Sequence, residues 1–170
     1  MDLTCSHKSV SCGDMSTYVI LHNIRSAHNV GSIFRTADGA GVAKLFLVGY
    51  TPHPIDRFGR IQEEIRKTSL GATESIPWEV YESIEPLLLR LQNEGCSVVA
   101  VEQHARAVSH HMYIQNSDTA YVFGNEGEGV PDEVCIAADA VIEIPMAGMK
   151  ESLNVSVAAG VILFGVRALH

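Results

Sequence analysis

Long apolar runs are missing from this 170-residue chain. The longest, Val155 to Leu169, is broken by Ser156, Gly160, Gly165 and Arg167 and falls short of a bilayer span. The stretch from Met1 to Ser16 is polar and lacks the apolar centre of a signal peptide. Cysteine is sparse: Cys5, Cys12, Cys96 and Cys135 show no CxxC spacing. A chain of this length buries roughly 70% of its extended surface and needs no disulfide staples. A cytoplasmic protein with reduced thiols and no membrane contact is therefore expected. Among eight histidines the pair His110-His111 stands without HExxH or cysteine-rich spacing, so no metal is expected.

Positive charge is also scarce, with 12 Lys and Arg against 20 Asp and Glu and a net charge of −8. That total argues against a strongly basic nucleic-acid module. The deficit is uneven, however. Residues 22–72 carry seven basic and four acidic side chains, a net +3, whereas residues 73–170 carry four basic and fourteen acidic, a net −10. Hydrophobic residues at 46% and charged residues at 19% exclude a disordered chain.

Short apolar runs alternate with segments of helical period. Tyr18–Leu21, Leu45–Val48, Val98–Val101, Ala120–Phe123 and Ala140–Ile144 read as buried strands. Val30–Asp38, Ile61–Ser69, Ile84–Asn93, Pro131–Ala137 and Asn154–Ala168 read as helices. The alternation predicts one α/β domain, residues 17–170 after a short N-terminal segment 1–16, with a mostly parallel sheet flanked by helices.

Three stretches carry chemistry. In the first, Asn23 to Val42, Asn29 is expected to cap a helix whose core stripe is Val30, Ile33, Phe34, Ala37 and Gly41. His28, Gly31, Ser32 and Arg35 fall on the opposite face, where small neighbours leave the guanidinium open to a docking group. A solvated surface arginine is the plainer alternative. In the second, Val122 to Val130, a strand runs into a loop with Gly124, Gly127 and Gly129. The pattern is neither GxGxxG nor a P-loop, and Glu126 and Glu128 would repel phosphate. It suits a ligand offering hydroxyls, amines or positive charge, as S-adenosylmethionine does; a turn with solvated carboxylates is the alternative. In the third, Glu143 to Gly160, Ser152 or Asn154 can cap a final helix made of small apolar residues. That helix is expected to be buried nearly all round, in the core or at a subunit interface.

Taken in order, Asn29-x5-Arg35, Gly124-Asn-Glu-Gly-Glu-Gly129, and Ile144-Pro-Met146 with Ser152-Leu-Asn-Val-Ser156 resemble the three motifs of the SpoU/TrmH branch of the SPOUT RNA methyltransferases. Lys67-Thr-Ser-Leu-Gly-Ala72 also resembles a segment typical of these proteins, and the likeness spans roughly residues 17–169. It implies an α/β fold with a C-terminal trefoil knot and a homodimer with sites near its interface. The implied cofactor is S-adenosylmethionine, held by Val101, Gly124, Ile144, Met146 and Leu153. The implied reaction is methyl transfer to a ribose 2′-hydroxyl of tRNA or rRNA. Its alternatives are transfer to a base nitrogen and a non-catalytic RNA-binding knot.

The family pattern makes Arg35 central. A neutral guanidinium at pH 7 costs roughly 7 kcal/mol or more, so Arg35 is expected to act as a charged fork on the RNA phosphate. Asn29 is expected to position Arg35 or the substrate, and Glu126 to order the second loop and contact substrate. Ser152 and Asn154 are expected to hold the site shut around the cofactor. Arg25, Arg57, Arg60, Arg66 and Lys67 are candidates for the RNA backbone, which they would position without specifying sequence. Only about sixteen residues precede the first expected strand, so recognition is expected from the core surface, the dimer groove or a partner protein. Targets in single-stranded or loop RNA are expected.

Overall fold

A computed structural model of the chain describes residues 15–166. The segment 1–14, with Cys5 and Cys12, and the expected end of the last helix at Ala168 lie outside the described residues.

The five apolar runs form strands where the pattern places them: β1 (Thr17–His22), β2 (Lys44–Val48), β4 (Ser97–Val101), β6 (Thr119–Phe123) and β7 (Ala140–Glu143). Two more, β3 (Trp78–Tyr81) and β5 (Val108–Ser109), sit at the two sheet edges. Every pairing is parallel, in the order β3-β2-β1-β6-β4-β7-β5. Because a parallel sheet is covered on both faces, its central strands are apolar at successive positions. In β1, Val19 and Leu21 join one core layer and Ile20 joins the other.

The first layer holds α1 (Ala27–Gly39), α2 (Glu63–Ser69), α3 (Ala72–Ser75) and α6 (Val155–Gly165); the second holds α4 (Glu85–Asn93) and α5 (Asp132–Ala137). All strand C-termini face one edge of the sheet. Along that edge the connections after β1, β4, β6 and β7 meet, which is where open α/β sheets bind ligands.

Three local expectations are corrected. Helix α1 starts three residues earlier than expected, because Ser26 and not Asn29 caps it: the Ser26 hydroxyl accepts from Asn29 N at 3.2 Å. Gly31 is buried and not an open approach, since a Cβ there would run into the Thr68 hydroxyl and the Ile65 carbonyl of α2. Gly41 lies past the helix at φ +64° and is exposed, and Ala40 and Val42 bury in its place.

The close approach of α1 and α2 also explains the segment Lys67–Ala72. It ends α2 on two left-handed residues, Leu70 (φ 49°) and Gly71 (φ 91°), turning the chain into α3 while holding Thr68 against Gly31. Helix α6 is covered on one side only, by α1 and the 3-10 turn His110–Met112: Ala159, Ile162 and Leu163 are buried, while Val157, Val161 and Phe164 stay exposed.

Candidate functional site

Thr51, two residues beyond the glycine turn that ends β2, is fully buried and holds the start of the site. Its hydroxyl accepts from Ile24 N at 3.0 Å and faces the carbonyls of Leu21 (2.9 Å) and Val48 (2.8 Å). This fixes the connection between β1 and α1, where Asn23 adopts the left-handed conformation at φ 58°.

The glycine loop after β6 is built to lie flat against that connection. Asn125 and Gly129 exchange backbone hydrogen bonds at 3.1 and 2.9 Å, and Gly129 takes φ +72°. Gly124 cannot carry a side chain, because a Cβ would meet the backbone of Gly129 and Val130. The Asn125 side chain organises both sides. Its carbonyl accepts from Gly127 N (2.7 Å) and Glu128 N (3.0 Å), and its amide donates to Asn23 O (3.0 Å) and the Tyr50 hydroxyl (2.7 Å). Glu102, just past β4, accepts from Val130 N at 2.8 Å and from Gln103 N at 2.7 Å, tying the far end of the loop to β4.

One network joins the three stretches. The Glu126 carboxylate accepts from Arg25 N (2.9 Å), Ser26 N (3.0 Å) and Asn29 Nδ2 (2.9 Å). The Asn29 carbonyl in turn accepts from Asn154 Nδ2 at 3.2 Å, and Asn154 caps α6 through Ser156 N at 2.9 Å. Burial alone would raise the Glu126 carboxyl, but these donors outweigh it and hold it below the ordinary carboxylate range. Asn29, only 7% exposed, thus sits between the loop of the second stretch and the helix of the third.

Between these parts lies a cleft of about 500 Å³ at the C-terminal ends of β4, β6 and β7. Val101, Gly124, Ile144, Met146 and Leu153 all line it, together with Glu126, Ser152 and Asn154. The volume is in the range of small-molecule sites. Among the described residues its lining mixes apolar residues, Phe123 and Ala158 among them, with the acidic residues Glu102, Glu126, Glu128 and Glu143, and includes no lysine, arginine or histidine. Such a cleft favours a ligand with an apolar body and a positive centre over a phosphate. Gln103 Nε2 donates to the Glu151 carbonyl, strapping the loop 144–154 to the end of β4.

The structure does not bring Arg35 to this cleft. Arg35 is exposed on the outer side of α1, in a shallow depression with Ser32, Thr36, Gly39, Thr68 and Phe164, and its guanidinium has no hydrogen-bond or ionic partner among the described residues. Ser152 lines the cleft with its side chain exposed and, among the described residues, unpaired, so capping falls to Asn154. The five basic residues of the expected RNA surface differ in state. Arg60 pairs with Asp56 at 2.8 Å and Arg66 with Glu63 at 2.6 Å, Arg57 lies over the Phe58 ring, Lys67 lies within electrostatic reach of Glu63, and the Arg25 side chain has no hydrogen-bond or ionic partner among the described residues. Sequence reasoning missed Thr51, Glu102, Gln103 and Asn125. Only Asn125 stood inside a recognised stretch; the partners of the other three are backbone groups, which leave no residue pattern.

No helix among the described residues is long and apolar enough to cross a membrane, and no cluster of three or more His, Cys, Asp or Glu among them is placed to hold a metal ion.

Residues 16–164 match the family model described as SpoU rRNA Methylase family. The chain is 35% identical over 154 residues to the 23S rRNA (guanosine-2′-O-)-methyltransferase RlmB of Escherichia coli K12, covering 89% of this chain and 59% of that protein. An AdoMet-bound rRNA methyltransferase from Sinorhizobium meliloti superposes with a TM-score of 0.80 at 32% identity, over 91% of this chain and 56% of that one. The A. aeolicus TrmH/SpoU tRNA modifying enzyme gives 0.78 at 31% identity, over 91% and 75%. The chain spans little more than half the length of the curated relatives it matches.

Proposed function

The chain belongs to the SpoU rRNA methylase family, and from that premise we propose that it is an S-adenosylmethionine-dependent methyltransferase acting on a ribose 2′-hydroxyl of ribosomal or transfer RNA. The observation that carries the reading is the cleft itself. Five positions matched to the family's cofactor contacts converge on one cavity, lined among the described residues by acidic and no basic side chains. That lining fits S-adenosylmethionine: Val101, Ile144, Met146 and Leu153 would take its apolar parts, and the backbone beside Gly124 its polar groups. Bound there, it supplies an electrophilic methyl on a sulfonium, which the surrounding carboxylates suit.

The chain's own groups then hold and orient. Asn29, Glu126 and Asn154 fix the glycine loop, α1 and α6 relative to one another. Ser152 is left to hydrogen-bond the incoming nucleotide. Arg35 grips the phosphate beside the target ribose as a charged fork, fixing the 2′-hydroxyl for attack, while a phosphate oxygen or water accepts its proton. Arg25, Arg57, Arg60, Arg66 and Lys67 contact the RNA backbone.

Two features complete the proposal. The molecule is a cytoplasmic homodimer of one-domain chains, packed through the exposed apolar side of α6 (Val157, Val161, Phe164) next to Arg35. Packing there would bring the Arg35 of one copy toward the cleft of the other, and each cleft would lack its arginine without a partner. The C-terminal segment is threaded as a knot, as the family likeness implies, and the hydrogen bonds from Gln103 to the Glu151 carbonyl and from Asn154 to Asn29 tie the loop 144–154 to the end of β4 and to α1.

Labelled S-adenosylmethionine incubated with the protein and total bacterial RNA, followed by digestion to nucleosides, tests the reading. Label in 2′-O-methylnucleosides is expected. Label in base-methylated nucleosides, or cofactor binding by calorimetry without any transfer, would overturn it.

A further inference from the structure

The connection from β2 to α2 carries an aromatic side chain, Phe58, that the methyl-transfer reading does not use. Residues 54–62 form a small hairpin held by an antiparallel bridge between Ile55 and Ile61 and closed by Gln62 N donating to Pro54 O at 2.9 Å. Asp56 builds its tip. One carboxylate oxygen accepts from Phe58 N (2.8 Å) and Arg60 N (2.9 Å), and the other accepts from Arg60 Nε (2.8 Å). Backbone bonds from Asp56 N to Arg60 O and from Gly59 N to Asp56 O, both 2.9 Å, complete the turn.

On this hydrogen-bonded tip the Phe58 ring is 67% exposed. Its company is two guanidinium groups, Arg57 at 4.8 Å and Arg60 at 5.1 Å from the ring centre. Asp56 holds Arg60 in place, whereas Arg57 has no acidic partner among the described residues. An aromatic face presented on a preformed turn between two guanidinium groups is the arrangement on which nucleobases stack in single-stranded nucleic-acid sites.

The hairpin also stands on the right edge of the molecule. It leaves the C-terminal end of β2, in the same parallel sheet whose C-terminal ends form the cleft. Tyr50, at its root, accepts a hydrogen bond from Asn125 of the glycine loop and leaves its own ring 58% exposed.

We propose that Phe58 is a base-stacking platform for an unpaired nucleotide of the RNA, flanking the one whose ribose enters the cleft. The incoming base takes the place of Arg57 on the ring, and Arg57 moves to the neighbouring phosphate while Arg60 stays on Asp56. The proposal rests on RNA being the substrate.

The test uses Phe58→Trp, Phe58→Ala and Arg57→Gln in the full chain, with a single-stranded oligouridylate as probe. The Phe58→Trp indole fluorescence is expected to be quenched on binding. Phe58→Ala is expected to raise the probe Kd and the RNA KM roughly 5- to 150-fold, the range of one base–aromatic stack. It should leave the salt slope of binding unchanged, because phenylalanine releases no counterion, whereas Arg57→Gln should make the slope shallower by about 0.7. Unquenched Phe58→Trp, or an unchanged Kd in Phe58→Ala, would overturn the platform even if the wild-type protein methylates RNA. A change of oligomeric state in Phe58→Ala with RNA affinity intact would assign the ring to a second copy of the chain and overturn it likewise. Quenching and the Kd effect without methyl transfer by wild type would leave the platform standing and remove the catalytic reading.

Discussion

Replacing Asn29 by aspartate changes one atom's chemistry and almost no volume. In the wild-type chain Asn29 Nδ2 donates to a Glu126 carboxylate oxygen at 2.9 Å. In Asn29→Asp an oxygen takes that place, and two carboxylates face each other at this separation. At an effective dielectric of about 20, two unit charges so close repel by about 6 kcal/mol. Capturing one proton is cheaper. From an ordinary glutamate value of 4.5, protonation at pH 7 costs about 3.5 kcal/mol, and the shared proton restores a hydrogen bond. The folded pair would therefore keep a proton that the unfolded chain releases above about pH 4.5. A group whose folded value is raised in this way loses stability as pH rises, here by about 1.4 kcal/mol per unit. Urea unfolding of Asn29→Asp is expected to show a deficit of about 3.5 kcal/mol at pH 7, shrinking to about 0.7 kcal/mol at pH 5. Asn29→Ala, which adds no charge, should show a deficit that does not vary over this range. A deficit in Asn29→Asp that is absent, or equal at pH 5 and pH 7, would refute the bond between the first and second stretches.

Other outcomes follow from the same geometry. Gly31→Ala should destabilise the fold by about 1–3 kcal/mol, as overpacking does. Adding Thr68→Ala should recover only part of that in thermal melts, because the Ile65 backbone carbonyl still blocks the new methyl. Thr51→Val leaves the buried Ile24 N without its acceptor and should cost about 1–3 kcal/mol in urea unfolding. Burial pushes the Cys96 thiol up to about 12 and Cys135 up to about 11; peptide mapping after alkylation at pH 8 should find both unlabelled until the protein is unfolded. The Glu126 carboxyl lies below its ordinary value, so the loop tie it makes is complete above about pH 4.5 and is lost as pH falls through the lower folded value. The thermal shift given by S-adenosylmethionine should hold from pH 8 to pH 5 and fall off below that, and Glu126→Ala should have a reduced shift throughout. The six proposed phosphate contacts, Arg25, Arg35, Arg57, Arg60, Arg66 and Lys67, set the log–log salt slope of single-stranded RNA binding at about −4 per chain; a slope several times steeper would contradict this small footprint.

The central strands were legible because burial on both faces leaves a continuous apolar run, as in Leu45–Val48 and Ala120–Phe123. The edge strands were not. Trp78–Tyr81 carries Glu79, whose carboxylate pairs with Lys44 and Arg90, and Val108–Ser109 is only two residues long. Ser26 and Asn29 are both good capping residues three positions apart, and local chemistry does not choose between them. What decides is Glu126, 97 residues further on, which claims the Asn29 amide. The same distance effect hid the role of Gly31, read as an opening until α2 is seen to fill it. The five positions carried over as cofactor contacts line one cleft, yet Arg35, the residue the motif makes central, stands outside it. A motif records residue types and their spacing, and it does not record where the fold places each side chain.

The central claim is that the acceptor is a ribose 2′-hydroxyl. Its most direct test compares two synthetic copies of a substrate RNA, one fully ribose and one with a single 2′-deoxy residue at the methylated nucleotide, for label transferred from S-adenosylmethionine. Transfer to the first and none to the second is expected, with both bound equally well. Equal transfer to both would place the methyl on the base and contradict it.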